Sequence, residues 1–429
     1  MDNFLIYFSL VLYLNLINKT LGLAEVIDFI NNNNTRQWNP YIISKCKHNI
    51  PKYYAPCQYK NLKIAHELIF PDFKIRAPNF INEQDKKYFE ILANSDHSDF
   101  KDRFRYDGEY CIYKSMHGQN LVFHNVKINV LSNLWNKNQC VCGNTSINNF
   151  EQFDPKKLEN NSKINIIPYG LLDNIPDSWS FQHFIDRGIL PIIQSSYIRR
   201  NNNTYGIIAS KSDVTLKFWK IFGFDPSHVV TKFPVFVKKL IFSCRSVLIH
   251  PWYFLQLQQK MKIKVDVPLD QRKYILYLSR NEGTKNNRRK ILNEKELIYE
   301  VKKLLQIRNK GETVQIINPL ALSIFQIKEL LSQTKAIIAP HGGALYNVLF
   351  APQQTLIIEI IPKERFAIMF FELSSIMQHN YWMIPINSTK EKDNNLIISI
   401  TDILNILKSQ LGKKRENVLL EYYMWNSKT

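Results

Sequence analysis

The stretch Ala336-Ile337-Ile338-Ala339-Pro340-His341-Gly342-Gly343-Ala344-Leu345-Tyr346-Asn347-Val348-Leu349-Phe350, with Leu356-Ile357-Ile358-Glu359-Ile360-Ile361-Pro362 close behind it, decides the fold of this chain. Ala336 to Ala339 is a short apolar run of the kind that forms a strand buried on both faces. Pro340 ends it. His341-Gly342-Gly343 reads as a tight turn, and its two glycines let backbone N–H groups approach a ligand without Cβ interference. Ala344 to Phe350 has helix-forming composition. Leu356 to Ile361 is a second buried strand with one carboxylate, Glu359, inside it. Strand, glycine turn, helix and strand in that order place the turn at the carboxyl end of a strand and the amino end of a helix. Open α/β sheets bind anions and nucleotides there. An ordinary αβ corner with a satisfied histidine carries the same three-residue motif, so the turn alone does not fix a function.

The sequence before this stretch repeats the pattern. Tyr274-Ile275-Leu276-Tyr277-Leu278 is a buried-strand run with Ser279-Arg280-Asn281 at its carboxyl end. Asn286 to Lys290 is a basic loop containing Arg288 and Arg289. Asn293-Glu294-Lys295-Glu296-Leu297 begins a helix that runs to about Leu305. Val314 to Ile317 is the next strand, and Ser323 to Gln333 an amphipathic helix. Four β/α units result, enough for a complete nucleotide-binding domain. No strand is followed by Gly-x-Gly-x-x-Gly, which argues against a dinucleotide-dependent dehydrogenase. Ile397 to Leu411 reads as a further helix.

The first half is less regular. Residues 36 to 110 are rich in Tyr, Phe, Pro and charge without a clean period and are expected to be irregular. Cys111 to Leu131, with Gly118-Gln119-Asn120-Leu121, reads as a hairpin. Ile164 to Ile167 is a candidate strand. In Asp177-Ser178-Trp179-Ser180-Phe181-Gln182-His183-Phe184-Ile185-Asp186-Arg187 the acid and serine are placed to cap a helix. Trp179, His183 and Asp186 then fall on one face. Two readings stay open: a buried histidine held by a carboxylate, or an acceptor-binding acid/base site. Ile207 to Ala209 and Val229-Val230 are further strands around a helix near 214–222. This is β/α alternation and hence a parallel sheet. Asp266 to Arg272 looks like the linker. The domains expected are a signal peptide or anchor at 1–24, an acceptor-side α/β domain at 25–265, a nucleotide-binding Rossmann-like domain at 270–400, and a helix and tail at 401–429.

Composition bounds the function classes. The chain has 429 residues and a formal net charge of +19. Such a charge suits an anionic partner, but the lysines are spread over the whole chain and no nucleic-acid-binding module is present, so no nucleic acid partner is expected. The apolar run Phe4 to Ile17 is short for a span and long enough for a signal-peptide core. Gly22-Leu23-Ala24 offers small residues before Glu25, although Asp2-Asn3 supplies no basic charge. A cleaved signal and an uncleaved anchor both fit, and a membrane contact is expected only with the anchor. Six cysteines, five of them in the first third, suggest disulfides in a secretory chain. The Cys140-Val141-Cys142 pair lacks a second pair at zinc-finger spacing. Sequons at Asn18, Asn33, Asn144, Asn160, Asn202 and Asn387 are compatible with luminal exposure.

Strand-end Ser279-Arg280, the basic loop, Asn293-Glu294-x-Glu296-Leu297, an intermediate strand and His341-Gly342 occur in the order found in glycosyltransferase family 61, which the segment Tyr274 to Pro362 resembles. The Gly118-x-Asn120-Leu121 segment and the His183-Phe184-x-Asp186 helix resemble that family more weakly. The resemblance implies a GT-B architecture, two Rossmann-like α/β domains facing across a cleft. It implies an inverting transfer of GlcNAc or a pentose such as xylose from a UDP-sugar to a glycoprotein or glycan hydroxyl, in the endoplasmic reticulum or Golgi. It further implies donor binding by Arg280, Arg289, Asn293, His341, Gly342, Gly343, Ala344 and Glu359, with Glu359 either accepting from ribose hydroxyls or serving as a structural carboxylate. His183 or Asp186 is then the general base. No Asp-x-Asp motif lies in the C-terminal half, so no metal or other cofactor is required beyond the UDP-sugar co-substrate. A catalytically inactive luminal sugar-nucleotide or glycan-binding protein on the same fold is the alternative. Arginines at the anion site disfavour it, because they serve a leaving diphosphate.

Overall fold

The computed structural model describes residues 26–28, 38–45, 61–95, 100, 103–114, 116–129, 131, 150–152, 154, 165–173, 175, 177–199, 203–245, 249–280, 289–319, 322–389, 395–415 and 419–421. The chain divides into two compact units, Met1–Pro71 with Ser115–Gln256, and Asp72–Lys114 with Leu257–Thr429. The dividing line falls inside the helix Pro251–Met261 rather than at residues 266 to 272. The segment Asp72–Lys114 belongs with the second unit.

The first unit is built on a nine-stranded sheet. Its strands are β1 (Val26–Asp28), β2 (Tyr41–Lys45) and β3 (Leu62–Ile69). The next three, β4 (Phe73–Arg76), β5 (Arg105–Tyr106) and β6 (Tyr110–Tyr113), go to the second unit. The sheet then takes β7 (His117–Ile128), β8 (Phe150–Gln152), β9 (Asn165–Asp173), β10 (Tyr205–Ile208), β11 (Val229–Val230) and β12 (Val235–Arg245). Its order is β1-β2-β3-β7-β12-β9-β10-β11, with β8 beside β7. The half from β12 to β11 is parallel, as the β/α alternation implies. The half from β1 to β12 is antiparallel. The sheet is therefore mixed, not the wholly parallel one expected. Residues 62 to 93, read as irregular, hold two strands and the helix Glu83–Ala93. Their apolar residues do not alternate cleanly because several strand positions are buried on both faces. The hairpin expected over Cys111 to Leu131 does not form. Strand β6 pairs with β4 and β5, whereas β7 pairs with β3 and β12.

The second unit carries the nucleotide-binding pattern. Strands β13 (Tyr274–Leu278), β14 (Thr313–Ile317), β15 (Thr334–Pro340), β16 (Leu356–Pro362) and β17 (Asn380–Ile386) form one parallel sheet in the order β14-β13-β15-β16-β17. Read along the chain this is 2-1-3-4-5, an order of doubly wound α/β sheets. Every residue of β15 and β16 is buried, which explains why apolar residues dominate both strands. Leu297, Val301 and Leu304 of the helix Glu294–Arg308 and Ile403 and Leu407 of Ile400–Gln410 pack with Ile275, Tyr277, Ile338, Ile358 and Ile360 in one core. The opposite face of β16 holds Glu359, and Tyr381 of β17 lies there against Phe371 of the helix Met369–Ile376, the rings tilted at 50° with centroids 5.8 Å apart. A small antiparallel sheet, ordered β18-β4-β6-β5, includes β18 (Leu419–Glu421). Among the described residues no sheet crosses from one unit to the other, and no helix is long and apolar enough to cross a membrane. Phe4 to Ile17 lies outside the described residues, as do the side chains of every cysteine except Cys111, a buried free thiol.

Candidate active site

Each unit holds one cluster of the residues singled out by the sequence. In the second unit the strand order reverses at β13, since β14 lies on one side of it and β15 on the other. Such a reversal opens a crevice at the carboxyl ends of the two diverging units. Arg280 leaves β13 at this end, and His341, Gly342 and Gly343 leave β15. From Gly343 the chain continues as a 3-10 helix, Gly343–Phe350, instead of the α-helix its composition suggests. Ala344 lies in its first turn, where its carbonyl accepts from Asn347 Nδ2 at 2.8 Å.

Gly342 is a position where the backbone must be bare. A Cβ there would stand 2.1 Å from Nη1 of Arg280, so the guanidinium lies against the turn itself. Arg289 reaches the same turn, where its Nη1 donates to the carbonyl of His341 at 3.0 Å. Its backbone has φ of 65°, a left-handed conformation that costs a residue with a side chain about 1–2 kcal/mol. Nε of Arg289 is buried without a hydrogen-bond partner among the described residues. Burial first, and then the Arg280 and Arg365 charges, hold its pKa down to about 10. Burial and then Arg365 also lower Arg280. All the guanidiniums stay cationic at neutral pH. Arg365 sits on the turn Lys363–Arg365 directly after β16 and was not singled out by the sequence. A basic residue just past a buried strand is the signal that marked Arg280, and it applies equally to Arg365.

Two expected donor residues have other tasks. Glu359 is completely buried. Its Oε1 lies 2.5 Å from Nδ1 of His341, and the Tyr381 hydroxyl donates to its Oε2. Both oxygens are thus engaged inside the unit, one by His341 and one by Tyr381. Asn293 turns away from the crevice. Its Nδ2 donates to the Ile398 carbonyl at 2.9 Å and its Oδ1 accepts from the Ile398 N–H at 3.2 Å, so it clasps the chain before the last helix. Its neighbour Glu294 accepts from the Ser279 hydroxyl at 3.1 Å, which ties the helix start to the end of β13. The first two residues of the Asn-Glu-x-Glu-Leu motif are therefore engaged in contacts within the unit.

In the first unit the helix containing His183 is capped by Ser180, not Asp177 or Ser178. Ser180 Oγ accepts from the His183 N–H at 3.2 Å. One α turn, Phe181–His183, passes into a π segment, Phe184–Gly188, and then into Ile189–Gln194. The π segment breaks the single face expected for Trp179, His183 and Asp186, and π segments occur often at functional sites. Trp179 precedes the helix and is 50% exposed. Its carbonyl accepts from Ser212 Oγ at 2.6 Å. His183 and Asp186 nevertheless meet, with Nδ1 and Oδ2 3.7 Å apart, an ion-pair contact longer than a hydrogen bond. The Asp186 carboxylate raises the His183 pKa above its ordinary value, against desolvation.

The far end of this helix rests on the Gly-x-Asn-Leu segment. Asn120 Nδ2 donates to the Gln194 carbonyl at 2.9 Å, and Gln194 Nε2 donates back to Asn120 Oδ1 at 3.2 Å. A Cβ on Gly118 would lie 2.6 Å from Gln194 Oε1. The glycine admits the glutamine and the asparagine fixes it. The π segment closes on β9, where burial pushes the Asp173 carboxyl up to about 7 and a Cβ on Gly188 would stand 3.1 Å from its Oδ2. Among the described residues no three or more His, Cys, Asp or Glu side chains are grouped to hold a metal ion.

No curated protein matches the chain. Residues 181–358 match the family model described as Glycosyltransferase 61, a span that starts at the His183 helix and runs through the His341 turn into β16. This part of the chain is a glycosyltransferase family 61 domain, and the protein is a glycosyltransferase.

Proposed function

We propose that the protein is an inverting, UDP-sugar-dependent glycosyltransferase of the secretory-pathway lumen, in the endoplasmic reticulum or Golgi, transferring GlcNAc or a pentose to a hydroxyl of a glycoprotein or glycan. The observation that carries this reading is the convergence of Arg280 and Arg289 on the turn at His341 and Gly342, with the charge of Arg365 acting on both. Like charges that burial and mutual repulsion both disfavour are explained by an anion held between them. A diphosphate suits planar guanidinium donors and the bare backbone of the turn. In this mechanism Arg280 and Arg289 bind the diphosphate, and they stabilise the negative charge that grows as the sugar C1–O bond breaks. His183, held by Asp186, takes the proton from the acceptor hydroxyl as its oxygen bonds to C1 on the face opposite the leaving UDP. The exposed Trp179, four residues before His183 in the chain, offers an apolar surface on which a sugar acceptor can stack. No metal is assigned a part.

A thermal-shift screen of UDP-GlcNAc, UDP-xylose and UDP-arabinose tests the reading, because a ligand bound only by the folded state raises the melting temperature. One of the three is expected to raise it in a concentration-dependent way and to support transfer to a glycan acceptor. Stabilisation with no transfer to any acceptor would instead favour a binding protein. Luminal placement is tested by expression in secretory cells, which should yield a glycosylated chain beginning near Glu25.

A further inference from the structure

On the reading that the chain matures in the secretory-pathway lumen, we infer that Asn387 carries an N-linked glycan, placed beside the Lys363–Arg365 turn. Asn387-Ser388-Thr389 has the Asn-x-Ser/Thr pattern that accepts such a glycan. It is the sequon whose three residues are all described. Asn387 directly follows β17 and is exposed. Its side chain makes no hydrogen bond or ion pair among the described residues. The amides of Asn79, Asn120 and Asn293, by contrast, each donate to a backbone carbonyl. The backbone around Asn387 is anchored. The Ser388 N–H donates to Glu364 Oε1 at 3.2 Å, and the Thr389 N–H to the Asn395 carbonyl at 2.8 Å. Thr389 Oγ1 is buried without a hydrogen-bond partner among the described residues. Burying a hydroxyl unpaired is unfavourable, and a valine would suit the position as well. A sequon, which needs that hydroxyl before the segment folds, accounts for it.

The place on the fold leaves room for a bulky, solvated group. Strand β17 is the outermost of its sheet. All five strands are parallel, so its carboxyl end lies on the same side as those of β15, which leads into the His341 turn, and β16, which leads into Lys363–Arg365. Two strand spacings separate β17 from β15, about 10 Å. The glycan therefore stands at the rim of the crevice, outside the position taken by Arg280 and Arg289. In the modification, Asn387 Nδ2 bonds to C1 of an oligosaccharide carried on a lipid diphosphate. The lipid diphosphate leaves with the electron pair of the C1–O bond, and Nδ2 gives up one proton.

The test expresses the full chain in secretory cells beside its Asn387→Gln and Thr389→Val variants. Enzymatic release of the glycans in heavy-oxygen water turns each modified asparagine into a labelled aspartate, which peptide mass spectrometry locates. Residue 387 is expected to carry the label in the unaltered protein. Each variant is expected to lose that one glycan and keep any others. Thr389→Val removes the sequon while leaving Asn387 in place, so it keeps the inference testable if Asn387→Gln fails to fold. An unlabelled residue 387 in a product labelled at other sequons overturns the inference, as does a variant that keeps every glycan of the unaltered protein. A product without label at any sequon overturns the luminal reading on which the inference rests.

Discussion

The guanidinium of Arg280 occupies the space that a side chain at residue 342 would need, its Nη1 2.1 Å from the position of a Cβ there. The pair therefore works as one element: glycine makes the turn bare, and the arginine uses the room to lie across it. Gly342→Ala is expected to fold, because the atom that must move is the far end of a flexible side chain. It should weaken UDP binding about tenfold or more by displacing a bidentate donor. Calorimetry beside a melting curve checks this. A variant with unchanged Kd would mean that the guanidinium does not contact the ligand from this position.

The His183 and Asp186 pair carries a pH signature. Asp186 holds the His183 pKa above the ordinary imidazole value, and a general base works when deprotonated. The acidic limb of kcat should therefore rise at a pH above about 6.5. Asp186→Asn removes the stabilising charge, so the limb should move to lower pH while donor Kd stays nearly constant. The stability effect runs the opposite way: the pair's contribution is full below the unfolded pKa and is lost as pH rises through the raised folded value. Profiles of kcat against pH for both proteins decide this. A limb that does not move would exclude His183 as the titrating base or Asp186 as its partner.

Arg103 neutralises a carboxylate in the core of the second unit. Glu372 is fully buried and accepts from Arg103 Nε at 2.7 Å and from the Tyr113 hydroxyl at 2.6 Å. Arg103→Ala removes the guanidinium that pairs with this buried acid and is expected to cost about 3–5 kcal/mol. Chemical denaturation should show the loss, with UDP affinity preserved in the remaining folded protein. A cost below about 1 kcal/mol would mean that Glu372 is protonated in the fold.

Two buried histidines make part of the stability pH-dependent. Desolvation lowers His250 to about 3 and His379 to about 4. Below about pH 6.5 the unfolded chain binds protons that these rings refuse in the fold. Their contribution is thus present above the unfolded pKa and is lost as pH falls toward the folded values, at up to about 1.4 kcal/mol per pH unit for each ring. Asp173, raised to about 7, acts in the opposite sense over the same range. Replacing His250 with Gln should therefore flatten the fall in stability between pH 7 and 5. An unchanged slope would show that His250 does not stay neutral in the fold.

The second unit was more legible in the sequence than the first. Strands β13, β15 and β16 are buried on both faces and announce themselves as continuous apolar runs, and Gly342 marks where Arg280 passes. Local composition does not show partnership across strands, and that is where the reading failed. Glu359 could be read either as a ligand acceptor or as a structural acid, because Tyr381, which takes one of its oxygens, lies on the neighbouring strand. Asn293 looked like a site residue because Ile398, which engages its amide, lies far along the chain. In the first unit, β6 and β7 are neighbours in sequence yet pair in different sheets, which no turn signal reveals. The π segment after His183 likewise departs from the helical period on which the expected face of Trp179, His183 and Asp186 was based.

The most direct test of the donor site is calorimetric titration of UDP into the unaltered protein and its Arg280→Ala variant. Removing a partly buried cation that faces a diphosphate should cost about 2–5 kcal/mol of binding. The expected result is measurable binding by the unaltered protein, abolished or reduced by that amount in the variant, with the melting temperature of the free proteins nearly equal. Equal UDP affinity in the two proteins would contradict the placement of the nucleotide at the His341 turn.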